Sequence, residues 1–214
     1  MPLVQQYRLN RASFQANRNK TGANDLALPS QEARKGIMHR LFVALRPPRP
    51  MREALLAAMG GVEGARWQDD DQLHLTLAFI GEVDRHVAED AAAVLGSVSH
   101  PPFGLKLDGI GSFDRKGRID SIWAGVSPHD RVSSLHSAVS RALMRVGIYP
   151  EQRAFLPHIT LARFSFDQGA MAGLPMERLW PPPIEACFDH FLLYESELGA
   201  SGPTYSAINR YPLF

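Results

Sequence analysis

The sequence predicts an α/β protein built from two related lobes. The main observation is a repeat: residues 74–78 read His-Leu-Thr-Leu-Ala, and residues 158–162 read His-Ile-Thr-Leu-Ala. Strand-like and helix-like stretches also occur in similar numbers on either side of about residue 115, and no linker divides the chain cleanly. A motif repeated 84 residues apart therefore indicates two lobes that face each other.

Composition restricts the class of protein and its location. The chain has 214 residues, of which 45% are hydrophobic and 21% charged, and its net charge is +1. It can bury a core as one domain or two small lobes, and its near-neutral charge argues against extended non-specific binding to a nucleic-acid backbone. Cys187 is the only cysteine, which excludes an internal disulfide and favours a cytoplasmic location. No apolar run approaches the roughly 20 residues that span a bilayer, so we expect no membrane partner.

The first 37 residues differ from the rest of the chain. Four basic residues precede the first acid, Asp25, in a polar stretch without a sustained apolar period: Arg8, Arg11, Arg18 and Lys20. We predict a disordered N-terminal extension over 1–37 and a single folded domain over 38–214. The alternatives are an RNA-contacting arm, a transit-like segment, and a start codon assigned upstream of Met38.

Local patterns predict the first elements of the domain. A strand over Arg40–Leu45 is closed by the proline-rich run Arg46–Pro50, which cannot continue a ladder. A helix over Met51–Met59 ends at two glycines, and the first motif strand follows an acidic turn. A further helix is predicted over Asp84–Leu95, where alanine is dense.

The later elements follow the same rules. A hairpin is predicted from Phe103–Phe113 and Ile119–Val126, and a helix over Arg131–Gly147 has apolar residues at helical spacing, with Asp130 as its cap. After the second motif strand, residues 169–183 are rich in proline, glycine and methionine and are predicted to form a loop. The last strands are predicted over Ile184–Glu195 and Tyr205–Tyr211.

The repeated motif places chemistry on one face of each predicted strand. Because alternate side chains of a strand point to opposite faces, His74 and Thr76 share one face. The aliphatic Leu75 and Leu77 lie on the other face and pack into the core. The same holds for His158 and Thr160. Two facing imidazoles are what general acid/base catalysis requires, since the unperturbed pKa of histidine is about 6.5. One such motif alone is more simply a solvated strand, so the pair carries the prediction.

Three other features are interpreted without a function. The consecutive carboxylates Asp69–Asp71 point in different directions and are predicted to form a solvated turn. Residues 109–111, Gly-Ile-Gly, lack the third glycine and the helix of a dinucleotide-binding fingerprint. His129 and His136 are about two helical turns apart, unlike zinc ligands on one helix, and are interpreted as surface or packing residues. Neither motif histidine has a second histidine at ligand spacing, and the only nearby acids are those of the Asp69–Asp71 turn, so we expect no metal and no cofactor.

The two motifs resemble those of the 2H phosphoesterase superfamily, which has two His-x-Thr/Ser-x motifs with hydrophobic x. Within it, the chain is similar to the bacterial and archaeal RNA 2′,3′-cyclic phosphodiesterases, historically called 2′-5′ RNA ligases. The similarity extends over about 38–214, through blocks at 40–45, 67–83, 155–163 and 195–205. It implies two pseudo-symmetric lobes, each an antiparallel sheet with outer helices, and a central cleft that holds both histidines.

The resemblance also implies an activity and site residues. The activity is metal-independent hydrolysis of an RNA 2′,3′-cyclic phosphate end to a 2′-phosphomonoester. We further expect the partner to be such an RNA end or a cyclic nucleotide, and the protein to be a monomer. The catalytic residues would be His74 and His158. The sequence does not distinguish the acid from the base, and as a hypothesis of our own we take His74 as the acid to the leaving 3′-oxygen and His158 as the base to water. Thr76, Thr160 and Arg163 would bind the phosphate. Phe79 would stack on the terminal base.

Strand geometry adds a condition, and other functions remain open. Phe79 and Arg163 each follow a motif histidine by five residues, so simple alternation puts them on the opposite face unless the strand bulges or twists. The alternatives are a 2′-5′ RNA ligase, an enzyme acting on other cyclic phosphates, and a non-catalytic RNA-end binding module. A metallo-hydrolase would use the remaining histidines: His39, His86, His100, His129, His136 and His190.

Overall fold

The fold is described from a computed structural model. It covers residues 38–115, 117–151, 154–165, 182–199 and 202–214. The predicted N-terminal extension over 1–37 and most of the predicted loop over 169–183 lie outside the described residues. In the described part of the chain, no helix is long and apolar enough to cross a membrane.

The described residues contain nine strands and three helices. The strands are β1 His39–Leu45, β2 Ala65–Trp67, β3 Leu75–Val83, β4 Phe103–Arg115, β5 Arg118–Ser127, β6 His158–Phe164, β7 Glu185–Phe188, β8 His190–Gly199 and β9 Gly202–Pro212. The helices are α1 Arg49–Ala58, α2 Arg85–Leu95 and α3 His129–Arg145.

The strands form one antiparallel sheet with the two motif strands at its centre. The order is β7-β4-β5-β6-β3-β1-β8-β9, with β2 added on β6. The motif strands β3 and β6 meet at the centre, where Leu75 pairs with Ile159. The half that begins at β3 therefore has four strands, and the half that begins at β6 has four strands and the added β2. This arrangement agrees with the two pseudo-symmetric lobes that the family resemblance implies, and the halves join at the two motifs.

The helices pack on one face of this sheet and leave the other face to the motifs. Inward residues of the strands, including Leu41, Val43 and Ile159, share one buried core with α1, α2 and α3. A second, smaller cluster on the other face contains Phe42 and Tyr194. The α/β architecture with outer helices is thus confirmed.

Several predicted boundaries are wrong for identifiable reasons. Helix α1 begins at Arg49 rather than Met51, because a proline is tolerated in the first turn of a helix. Helix α3 begins at His129, so Asp130 lies inside the first turn and does not cap it. The single strand predicted over Ile184–Glu195 is two strands, β7 and β8. The short strand β2 has too few residues to show a pattern and was not predicted.

Candidate active site

The central strand pair brings the two motifs together on one face. Leu75 and Ile159 are both fully buried in the core. Their neighbours in the motifs, His74, Thr76, His158 and Thr160, are all partly accessible. Antiparallel pairing of Leu75 with Ile159, extended by one residue each way, puts each histidine opposite the threonine of the other motif. One site thus contains two imidazoles and two hydroxyls.

A β-bulge brings Phe79 to the same face as the first motif. In the β1–β3 register Ala44 pairs with Thr76 and Val43 with Ala78, so Leu77 is the extra residue. Beyond it Phe42 pairs with Phe79, and their ring centroids lie 6.1 Å apart. Because paired residues share a face, the bulge restores Phe79 to the side of Thr76. Phe79 is 37% exposed there, so it is not a core aromatic.

The second motif has a bulge at the equivalent position. In the β5–β6 register Trp123 pairs with Thr160 and Ile122 with Ala162, so Leu161 is the extra residue. Arg163 then pairs with Ser121, on the face that carries Trp123 and Thr160. Phe79 and Arg163 each follow a motif histidine by five residues, and a bulge in each strand brings them to the face that carries the motif histidines and threonines. The two bulges place an aromatic side chain at one end of the site and a guanidinium at the other.

Backbone hydrogen bonds define the state of both imidazoles. Nδ1 of His74 lies 2.7 Å from the carbonyl oxygen of Gln72, and Nδ1 of His158 lies 2.7 Å from that of Leu156. A carbonyl can only accept, so Nδ1 carries the proton in each ring. In the neutral form Nε2 is then the unprotonated nitrogen of each ring. The two histidines thus have the same tautomer and the same type of orienting contact.

Aromatic rings surround each histidine, and they come from the strands of its own half. The ring of His74 lies 4.9 Å from Phe42 and 5.1 Å, edge to face, from Tyr205. The ring of His158 lies 5.0 Å, edge to face, from Phe113 and 5.8 Å from Trp123. The sequence pattern places none of these four aromatics beside a histidine. A sequence pattern alone does not reveal these aromatics, because which of them lies beside a histidine depends on how the strands pair.

The apolar surroundings shift the titration of both imidazoles. Burial lowers the pKa of His74 to about 4, and the positive charges of Arg163 and His158 act in the same direction. Burial also lowers the pKa of His158, with Arg163 again adding to the effect. Desolvation disfavours the charged form of a base, so both rings are neutral at neutral pH in the unliganded protein.

The acidic turn before the first motif is an ion-pair site. Asp70 accepts hydrogen bonds from Arg52 at 2.7 Å and Arg46 at 2.9 Å, and Asp71 accepts one from Arg46 at 2.9 Å. The Arg52 guanidinium holds the pKa of Asp70 below its ordinary value. The prediction of a simply solvated turn is therefore wrong in part, because both arginines come from the β1–α1 region, which is distant in sequence. These ion pairs position the turn that leads to His74.

The glycines of residues 109–111 have a structural role. Gly109 has a φ of 84° at a bulge in β4, a conformation that favours glycine. A Cβ atom on Gly111 would lie 2.1 Å from the indole ring of Trp123, so this glycine makes room for an aromatic neighbour of His158. The interpretation that these residues are not a dinucleotide fingerprint agrees with their position inside a strand.

Within the residues that the structure describes, no three His, Cys, Asp or Glu side chains come together in a way that could hold a metal ion. The other histidines have separate surroundings. His39 pairs with Glu195 at 2.7 Å, and His190 contacts Asp189. His136 hydrogen-bonds to Leu77, as described below, and lies far along α3 from the exposed His129.

Comparison with known proteins agrees with this geometry. A profile of the 2′-5′ RNA ligase superfamily matches residues 47–200. The chain belongs to this superfamily. A curated relative from Escherichia coli, an RNA 2′,3′-cyclic phosphodiesterase, is 31% identical over 81% of this chain and 96% of its own length. A second, from Thermotoga maritima, is also an RNA 2′,3′-cyclic phosphodiesterase and is 35% identical over 68% of this chain and 78% of its own length.

The solved structures show that the superfamily fold extends over most of the chain. The crystal structure of E. coli LigT complexed with 3′-AMP matches with a TM-score of 0.69 and 30% identity. The match covers 83% of this chain and 99% of LigT. The family resemblance inferred from the motifs is thus confirmed.

Proposed function

We propose that the protein hydrolyses the 2′,3′-cyclic phosphate at the end of an RNA to a 2′-phosphomonoester. The observation that carries the proposal is that His74 and His158 lie on one face of the sheet where the two motif strands pair, each with Nδ1 hydrogen-bonded to a backbone carbonyl oxygen. The names of the relatives support it, since both curated relatives described above are RNA 2′,3′-cyclic phosphodiesterases. The LigT complex with 3′-AMP supports a nucleotide as the ligand.

The reaction assigns one proton transfer to each histidine. A water molecule attacks phosphorus, and its proton passes to Nε2 of His158, the general base. The bond between phosphorus and the 3′-oxygen breaks, and Nε2 of His74 gives a proton to that oxygen as the general acid. The products are a 2′-phosphate and a 3′-hydroxyl, and proton exchange with water restores both rings. Each such contribution is typically about 10²–10⁴-fold in rate.

Electrostatics sets a condition on the acid. With a pKa of about 4, His74 is neutral in the unliganded protein at neutral pH. It can donate a proton only if the bound phosphate raises that pKa. A negative charge beside an imidazole favours the charged form, and it offsets the opposing charge of Arg163 as well. Substrate binding therefore prepares the acid in this mechanism.

The remaining site residues bind the substrate. The hydroxyls of Thr76 and Thr160 donate hydrogen bonds to the non-bridging phosphate oxygens, and Arg163 contacts them as a bidentate cation. The developing charge is then met by these groups, so we propose a reaction that requires no metal and no cofactor. Phe79, exposed at the edge of the site, stacks on the terminal base.

The direct test is product analysis. The purified protein is incubated, with EDTA, with an RNA that ends in a 2′,3′-cyclic phosphate, and ³¹P NMR identifies the product. We expect a 2′-phosphomonoester and unchanged activity with EDTA. Loss of activity with EDTA would point to a metallo-hydrolase, and binding without turnover, even with enzyme in excess, to an end-binding module. Turnover of 2′-5′ linkages in preference to the cyclic end would favour the ligase alternative.

Two further proposals concern the protein as a whole. We propose that it acts as a monomer, which sedimentation equilibrium tests. We also propose a cytoplasmic location, which fits the absence of a disulfide pair in the sequence. Fractionation of cells that express the tagged full chain tests it.

A further inference from the structure

His136 contacts the extra residue of the first bulge. It projects from α3, and its Nδ1 lies 2.6 Å from the carbonyl oxygen of Leu77. Leu77 has no partner in the β1 register, and a bulge leaves such a residue outside the ladder. A backbone carbonyl needs a donor there, and the imidazole supplies one. The bulge that brings Phe79 to the side of Thr76 is thus held from the helix layer.

The second bulge is held by a different donor. The carbonyl oxygen of Leu161, the extra residue of β6, accepts a hydrogen bond from the backbone N–H of Gln68 at 2.8 Å. The two motifs therefore have equivalent bulges, but a side chain holds the first and the backbone holds the second. Only the first can be altered by a substitution that leaves the backbone donors in place.

His136 also contacts the segment that precedes the second motif. Its ring stacks on Phe155 with 4.0 Å between centroids and 2° between the planes. The next residue is Leu156, whose carbonyl oxygen accepts the hydrogen bond that orients His158. One side chain thus has a hydrogen bond to the first motif strand and a stacking contact next to the orienting carbonyl of the second.

We propose that His136 is a positioning residue for both motifs, acting through Leu77 on Thr76 and Phe79 and through Phe155 on His158. The helix layer lies behind the sheet, so His136 acts through these contacts and has no direct contact with substrate. A displacement of about 1 Å in an active-site group can cost up to about 10²-fold in rate. The inference rests on the proposed function for its kinetic readout but not for its spectroscopic one.

Two substitutions separate the two contacts. His136→Asn keeps an N–H donor near the position of Nδ1 and removes the ring that stacks on Phe155. His136→Phe keeps a stacked ring and removes the donor. His129→Asn, at the exposed first residue of the same helix, is the matched control. Because each variant preserves one contact, neither requires the fold to tolerate the loss of both.

The two variants have opposite expected kinetics. His136→Phe should raise KM for a cyclic mononucleotide about 10-fold and lower kcat less than that, since Phe79, which binds the base, and Thr76, which binds the phosphate, lose their backbone support. His136→Asn should lower kcat about 10-fold at nearly unchanged KM, since the orientation of His158 relaxes. In ¹⁵N NMR spectra, the ring signals of His158 should shift in His136→Asn and stay in place in His129→Asn.

The possible results separate the two proposals. If both variants keep kcat and KM within about 2-fold of the control while their Tm falls, His136 is only structural and the inference is overturned. If the wild-type protein turns over no cyclic phosphate, the proposed function fails. The inference is then decided by the His158 ring signals, and signals unchanged in both variants overturn it.

Discussion

Acid should destabilise the protein through His74 in particular. Burial holds its pKa at about 4 in the folded state, against about 6.5 in the unfolded chain. The unfolded state therefore binds more protons between these values, and the free energy of unfolding falls as the pH falls. The linkage relation gives a loss of about 2 kcal/mol by pH 5 and about 3 kcal/mol by pH 4. The pKa of His158 is also lowered, so its contribution has the same sign.

The assay is urea unfolding at pH 7, 5 and 4, for the wild-type protein and for His74→Asn. Asparagine keeps a donor for the carbonyl of Gln72 but does not titrate, so the variant should lack this part of the loss. His158 and the carboxylates are common to both proteins and largely cancel in the comparison. Equal losses of stability in the two proteins at pH 4 would refute the reasoning, because His74 would then titrate normally in the folded state.

Three further perturbations test the site and the fold. Arg163→Gln should raise the pKa of His158 measured by NMR titration, because the guanidinium charge lowers that pKa. Arg163→Lys keeps the positive charge and should leave the pKa nearly unchanged, and equal pKa values in all three proteins would exclude this coupling. Gly111→Ala should displace the Trp123 indole, which a Cβ would overlap, and lower kcat about 10-fold at a similar KM. An unaltered kcat in steady-state assays would mean that the indole does not support the imidazole of His158. Tyr211→Phe removes a 2.9 Å hydrogen bond to a carbonyl oxygen of α2 and should cost about 1 kcal/mol in urea unfolding, with unchanged activity; a fall in activity at full stability would contradict a purely structural role.

Strand periodicity predicts the centre of the site because it depends on local geometry. Alternation alone places His74 with Thr76 and His158 with Thr160, and the structure has these pairs on one face. Periodicity also sets the condition that Phe79 can reach the site only through a bulge. It cannot say whether the bulge exists, since that depends on the register with β1.

The features that sequence reasoning missed are non-local. Phe42 and Tyr205 reach His74 from strands that lie far apart in the chain. The aspartates of the acidic turn find arginine partners 18 to 25 residues away. The cap predicted at Asp130 was wrong because side-chain type alone does not fix where a helix begins. Each of these depends on the tertiary arrangement rather than on local pattern.

A sulfur leaving group tests most directly whether one of the two motif histidines acts as the acid and the other as the base. In a 3′-thio analogue of the cyclic phosphate, the departing thiolate needs little protonation, because thiols have a pKa of about 8.5. Hydrolysis rates of the oxygen and sulfur substrates are compared for His74→Ala and His158→Ala. The account predicts that His74→Ala regains most of its activity on the sulfur substrate and that His158→Ala does not. Equal rescue of both variants, or of neither, would contradict it.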